Sequence, residues 1–194
     1  MKFLISISRF IDAFNEKVGH AVSWALLIAV LICTGNSLVR YIFNTSSNGW
    51  LEIQWYLFSA VFLLGTSYTL RRNEHVRIDV ISGRFSKRTQ VWMDIFGFTF
   101  FLLPMASLIL YFAIPFALVS IHSQEVSSNA GGLIVWPAKL LIPIGFFLLT
   151  MQGISELIKR IGYLKGMVSA SEFDKHAATP EEEIEAIKAA NNLK

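Results

Sequence analysis

The sequence predicts an all-α integral membrane protein, with four transmembrane helices behind an N-terminal amphipathic interfacial helix and both termini in the cytoplasm. Three observations predict it. Of 194 residues, 54% are hydrophobic and only 16% are charged, against roughly 25% charged in an average soluble domain. The apolar residues gather in blocks of about 20 or more, long enough to cross a hydrocarbon core of about 30 Å as a helix. Lysine and arginine crowd onto alternate connections between those blocks.

Residues 1–17 form the first unit. Phe3, Leu4, Ile7, Phe10, Ile11, Phe14 and Val18 recur at helical spacing, with Ser6, Arg9, Asp12, Asn15 and Glu16 opposite them. That pattern suits a helix lying in the plane of the interface. A polar-faced extension of the first span is the other reading. Arg9, Asp12, Glu16 and Lys17 interrupt any short apolar core of a cleavable signal peptide, so the first span is expected to remain as a signal anchor.

A four-span domain over residues 18–160 follows. The first span, 18–39, has His20 as its only acidic or basic residue. It also carries the single cysteine, Cys33, which excludes an intramolecular disulfide. The second, 50–70, has Glu52 near its start. The third, 91–119, begins near Asp94 and is longer than a bilayer requires, so tilt or bends at Pro104 and Pro115 are expected. The fourth, 133–158, holds Lys139 near one end and Glu156 near the other. Beyond it, residues 166–194 read as a polar cytoplasmic tail, in which Thr179, Pro180 and Glu182 could open a short helix as a capping box.

Orientation follows from the basic residues. Lys2, Arg9 and Lys17 precede span one, six lysines and arginines fill the 71–90 connection, and Lys159, Arg160 and Lys165 follow span four. The 40–49 connection has only Arg40, and residues 120–132 have none. Basic connections stay in the cytoplasm. The stretch LRRNEHVRIDV at residues 70–80 is then the cytoplasmic exit of span two. Its alternation places His75, Arg77 and Asp79 on one side of an extended segment, with Val76, Ile78 and Val80 on the other.

Charge inside a bilayer is costly, so the ionisable residues near the spans matter most. Glu52 is expected in the first turn of span two, with Gly49 as cap and Arg40 as ion-pair partner across the short loop. Lys139, just after Pro137, is expected to snorkel from the first turn of span four. Asp94 and Glu156 are expected to pair with nearby bases, among them Lys159 and Arg160. The middles of the spans offer only Ser59, Thr66, Thr99, Ser107 and Thr150. That weighs against a proton-coupled transporter built from this chain alone. No phosphate loop, CxxC or HExxH pattern occurs. Trp50, Trp55, Tyr56, Tyr68, Trp92 and Trp136 sit where an interfacial aromatic belt would lie. No catalytic, cofactor-binding or metal site and no nucleic-acid partner is expected.

Two other classes were weighed. A haem-binding membrane anchor of a redox enzyme would need facing histidines, for which His20 and His75 are the candidates. A small oligomeric exporter would want an embedded acid in span one, which has none.

The residues NSLVRYIFN closing span one, WLEIQWYLFSAVFLLGTSYTLRRNEHVRIDV through span two, and WPAKLLIPIGF opening span four carry a family resemblance. Over residues 10–165 the chain resembles the small membrane subunit, of DctQ type, of tripartite ATP-independent periplasmic (TRAP) transporters. The resemblance implies a bacterial inner-membrane complex that imports organic anions such as C4-dicarboxylates or sialic acids with sodium. A large multi-span subunit would hold the substrate and sodium sites, and a periplasmic substrate-binding protein would deliver the substrate. The small subunit would scaffold the first and help dock the second. Arg40, Tyr41, Glu52, His75, Arg77, Asp79 and Lys139 are the positions it marks as partner-contacting or structural.

Overall fold

A computed structural model describes residues 2–45, 47–73, 85–169 and 172–173. Helix α1 (Lys2–Phe43) is joined by a short turn to α2 (Asn48–Arg72). The next helix begins as α3 (Lys87–Gly97), passes through a π-helical turn (Phe98–Leu102) and continues as α4 (Leu103–His122). A loop then leads to α5 (Trp136–Leu164). Among the described residues there is no strand; Val126 and Ile134 form one isolated antiparallel bridge within the α4–α5 loop.

The N-terminal segment is not a unit of its own. One uninterrupted helix of 42 residues replaces the interfacial helix and first span, about 63 Å at 1.5 Å per residue. Its amphipathic face turns inward: Ser8 and Asn15 are buried, while Phe3, Phe10 and Phe14 are exposed. Three helical stretches, Phe3–Phe43, Lys87–His122 and Trp136–Leu164, are long and apolar enough to cross a membrane. Helix α2 has 25 residues, about 37 Å, and packs between α1 and α5.

Local sequence explains the ends and the irregular turn. Ser47 precedes α2 in extended conformation, so Glu52 stands in the second turn rather than at a Gly49-capped first turn. Asn73 closes α2 in the left-handed region, φ 56°, which asparagine tolerates. The Ser86 hydroxyl accepts from the Thr89 amide at the start of α3. Pro104 explains the π turn. It has no N–H to donate, and the Leu103 amide reaches back five residues to the Phe98 carbonyl, widening the turn ahead of the ring. At Pro115 the helix continues. Helix α5 ends in a Schellman turn: the Met167 amide donates to the Gly162 carbonyl and the Gly166 amide to Tyr163. Gly166, at φ 70°, supplies the left-handed residue.

The packing inverts that of a soluble protein. Helix α4 turns Ala106, Ala113, Ala117 and Ser120 inward and leaves Met105, Leu108, Phe112 and Val119 exposed. The largest fully buried side chains are Arg160, Lys159, Gln152 and Glu156. Small residues let membrane helices approach, and large apolar ones face lipid. Helix α5 is the central post, touching every other helix. At its closest approach to α2, a methyl placed on Gly145 would sit 2.8 Å from the Leu63 carbonyl oxygen.

Gly145→Val should therefore lower stability by about 1–3 kcal/mol, the usual cost of overpacking, because a backbone oxygen cannot move aside. Gly35→Val, at a position with open space around it, should leave the thermal midpoint in detergent unchanged.

Candidate functional site

Two polar clasps, one at each end of the bundle, hold most of the chemistry. The outer clasp, named for the side on which the lysine and arginine distribution would put it, forms where the α4–α5 loop folds over the start of α2. Glu52 is 3% exposed. Its carboxylate accepts from the Ser127 hydroxyl, the Asn129 side-chain amide (2.9 Å) and the Leu133 backbone amide (2.6 Å). Asn48 donates to the Ala130 carbonyl (2.9 Å) and the Tyr56 hydroxyl to that of Ile134 (3.2 Å). The bridge is closed by Ser127 N–H on the Leu133 carbonyl and Val135 N–H on that of Glu125.

Next to it, Glu125 accepts from the Ser120 hydroxyl (2.7 Å) and the Lys139 ammonium (2.5 Å). The Lys139 ammonium also lies over the Phe116 ring. The hydrogen bond from Lys139, then that from Ser120, holds the Glu125 carboxyl below its ordinary value. Thus Lys139 does sit in the first turn of its helix, but it is tied to the loop and not free to snorkel. The expected Arg40–Glu52 pair is absent: Glu52 is satisfied by neutral donors from the loop. Arg40 and Tyr41 stand exposed at the end of α1, and Arg40 has no ion pair among the described residues. Its carbonyl takes the Asn44 amide.

The inner clasp is larger and joins α1, α2, α3 and α5. Asp12 accepts from the Ser155 hydroxyl (2.8 Å), the Gln152 amide (2.9 Å) and Lys159 (3.0 Å). Lys159 also donates to Glu156 at 2.5 Å. Arg160 pairs with Glu156 through Nη1 and with Asp94 through Nε at 3.0 Å. Its guanidinium is covered by the rings of Phe98 and Phe173. Ser8 and Ser155 share a hydroxyl hydrogen bond of 2.7 Å, and Asn15 donates to Gln152 at 2.7 Å. Arg71 and Arg72 both pair with Glu16. Asp12, Glu16, Asp94 and Glu156 thus face Arg71, Arg72, Lys159 and Arg160, so acids and bases balance.

Sequence reasoning found Asp94 and Glu156 as partners for local bases. It missed Ser8, Asp12, Asn15, Gln152 and Ser155 as a buried set. The available signal was the polar spacing 8, 12, 15 on α1, matched by 152, 155, 156, 159 on α5. His75, Arg77 and Asp79 lie outside the described residues, as does the 179–182 capping box. The tail nonetheless starts against the bundle: Phe173 is buried on Tyr163, and Glu172 pairs with Arg9. His20, on α1, lies 6.4 Å from the Tyr68 ring centre and faces no second histidine among the described residues. Among those residues, no group of three or more His, Cys, Asp or Glu side chains could hold a metal. Most donors and acceptors of the clasps are spent on other helices or on the α4–α5 loop, with Asn15 Oδ1 and Arg72 Nε among the buried atoms left without a partner; what the clasps do is fasten helices.

Arg160→Leu should cost about 3–5 kcal/mol in unfolding experiments, the range for stranding a buried partner charge. Arg160→Lys should fall between, keeping the charge but losing the fork that reaches two carboxylates. At the outer end, the lowered Glu125 value fixes a sign. Its contribution to stability is fully present above the ordinary carboxylate range and disappears as pH falls through the lowered value. Lys139→Gln should flatten that acid limb of a thermal-midpoint profile.

The geometry resolves what kind of chain this is without naming it; comparison with known proteins does. No curated protein and no solved structure matches it. The family model described as tripartite ATP-independent periplasmic transporters, DctQ component, matches residues 29–162. That span takes in the outer clasp and the α2, α3 and α5 parts of the inner one, and it leaves out Ser8, Asp12, Asn15 and Glu16. The chain belongs to the DctQ family, the small component of TRAP transporters.

Proposed function

We propose that this chain is the small, non-catalytic subunit of a sodium-driven TRAP importer of organic anions, of the C4-dicarboxylate or sialic-acid type. It scaffolds the large transport subunit and helps to dock the periplasmic substrate-binding protein. It spans the inner membrane four times, with α2 as a full span and both termini in the cytoplasm. The lysine and arginine distribution supports that orientation. The position of α2 supports the fourth span: Glu52 engages the outer loop at one end and Arg72 engages Glu16 at the other.

One observation carries the reading. The charged side chains within the bundle are consumed in closed clasps at its two ends. Between the clasps the hydroxyls of Thr66 and Thr150 bond back to their own helices. A bundle organised in this way keeps its shape but offers an ion no ladder of sites at mid-depth. The exposed Arg40 and Tyr41, beside the clasped loop, are proposed contacts for the binding protein. His75, Arg77 and Asp79 are proposed to lock the cytoplasmic connection against the large subunit.

Reconstitution tests this. Proteoliposomes with this chain, the large subunit and the binding protein should take up substrate in a sodium gradient, and those with this chain alone should take up none. Arg40→Ala should raise the binding-protein concentration needed for half-maximal uptake about fivefold, the worth of one contact of ~1 kcal/mol, with substrate preference unchanged. Sodium-dependent uptake by the isolated chain would refute the proposal.

A further inference from the structure

We infer that the inner end of the α1–α2 pair is a binding site for the phosphate headgroup of an anionic phospholipid. Gly19 brings the two helices together there: a methyl at that position would fall within 2.3–2.8 Å of Tyr68 ring atoms. The contact collects cations faster than it collects acids. Among the described residues Glu16 is the carboxylate at this edge, and it is already shared by Arg71 and Arg72. Asp12, a turn away, is taken by Ser155, Gln152 and Lys159. Lys17 is exposed and has no acidic partner among the described residues. His20 lies on the same helix face, three residues on, with its side chain 70% exposed and 3.6 Å from Glu16.

Two donors at this edge, on Lys17 and Tyr68, have no acceptor among the described residues. The Tyr68 hydroxyl makes no hydrogen bond to any described residue, and the Tyr68 ring lies under the Arg72 guanidinium at 5.0 Å. Lys17 and the Tyr68 hydroxyl, beside the exposed His20 ring, therefore present hydrogen-bond donors at an edge where Arg71, Arg72 and Lys17 outnumber Glu16 among the described residues. The flanks fit a lipid rather than a soluble anion. Trp24, 69% exposed, lies one turn beyond His20 toward the membrane centre, and Phe10 and Phe14 are exposed on the other side of Lys17. Between Phe14 and Trp24 on the exposed side of α1, Lys17 and His20 are exposed polar residues flanked by apolar ones. A headgroup there would place its phosphate among the donors and its acyl chains along Trp24.

The test is thermal unfolding of the full chain in a neutral detergent, titrated with phosphatidylglycerol, phosphatidylcholine or inorganic phosphate. Phosphatidylglycerol should raise the midpoint saturably, and the other two should not. Lys17→Gln and His20→Gln should each weaken the apparent phosphatidylglycerol affinity about fivefold, the factor for one headgroup-level contact worth ~1 kcal/mol. Tyr68→Phe should weaken it by a smaller factor. Arg88→Gln, which removes an exposed charge from the start of α3, should leave it unchanged. Equal weakening by Arg88→Gln would mean diffuse charge attraction and would overturn the site. An equal response to phosphatidylcholine would overturn it as well. So would full stabilisation by inorganic phosphate, which would make this a site for a free anion.

Discussion

Balanced charge at the inner end of the bundle is the constraint on which the rest depends. Four acids and four bases sit where water is scarce, and three of them, Glu156, Lys159 and Arg160, are all but inaccessible. Desolvating such groups is expensive, and the cost is offset only when every charge meets its opposite in good geometry. Each helix that contributes is thereby fixed in rotation and depth. Arg160 alone sets three relations: α5 to α3 through Asp94, α5 to the π turn through Phe98, and α5 to the returning tail through Phe173. The net energy of such a cluster is modest. Its value lies in specificity, since a slipped register would leave a charge unpaired in a poor solvent.

The outer clasp solves the matching problem by other means. No base reaches Glu52, so a loop free of lysine and arginine wraps the carboxylate with two side chains and a backbone amide. Hydrogen bonds from neutral donors suffice for a carboxylate near the interface. The two ends thus differ in kind, ionic within and dipolar without. The segments between are joined by small residues, such as Ala106, Ala113 and Gly145, that let backbones meet. Such a bundle is fastened at both ends and close-packed between them.

Much of this was legible in the sequence, for reasons that can be traced to particular residues. The helices themselves were, because apolar blocks bounded by Arg40, Arg71 and Arg72, and Lys159 and Arg160 leave little choice. The family was legible from local patterns around Glu52 and through the second helix. The depth of Lys159 and Arg160 was not. A base at the end of a span is ordinarily solvated, and burying it takes Asp12 and Asp94, which lie far away in sequence. Residues 1–17 misled for a related reason. An amphipathic stripe has the same spacing whether its polar face meets water or meets α5, and only the partner decides. The Arg40–Glu52 pair does not form because proximity in sequence is not proximity of side chains, and Leu133 supplies a donor from 81 residues away. At Pro104 the sequence signalled a disturbance, and the form it took, a π turn, depends on the amide of Leu103 finding Phe98.

The uninterrupted first helix has a consequence for biosynthesis. Asp12 leaves the ribosome 147 residues before Lys159, so for most of translation the nascent chain carries polar side chains whose counterparts do not yet exist. Until the last helix arrives, those groups must be sheltered by water or by the insertion machinery. Closure of the bundle is therefore an event at the end of synthesis, and a chain cut short before its fifth helix is left with an unmatched seam by which quality control could know it.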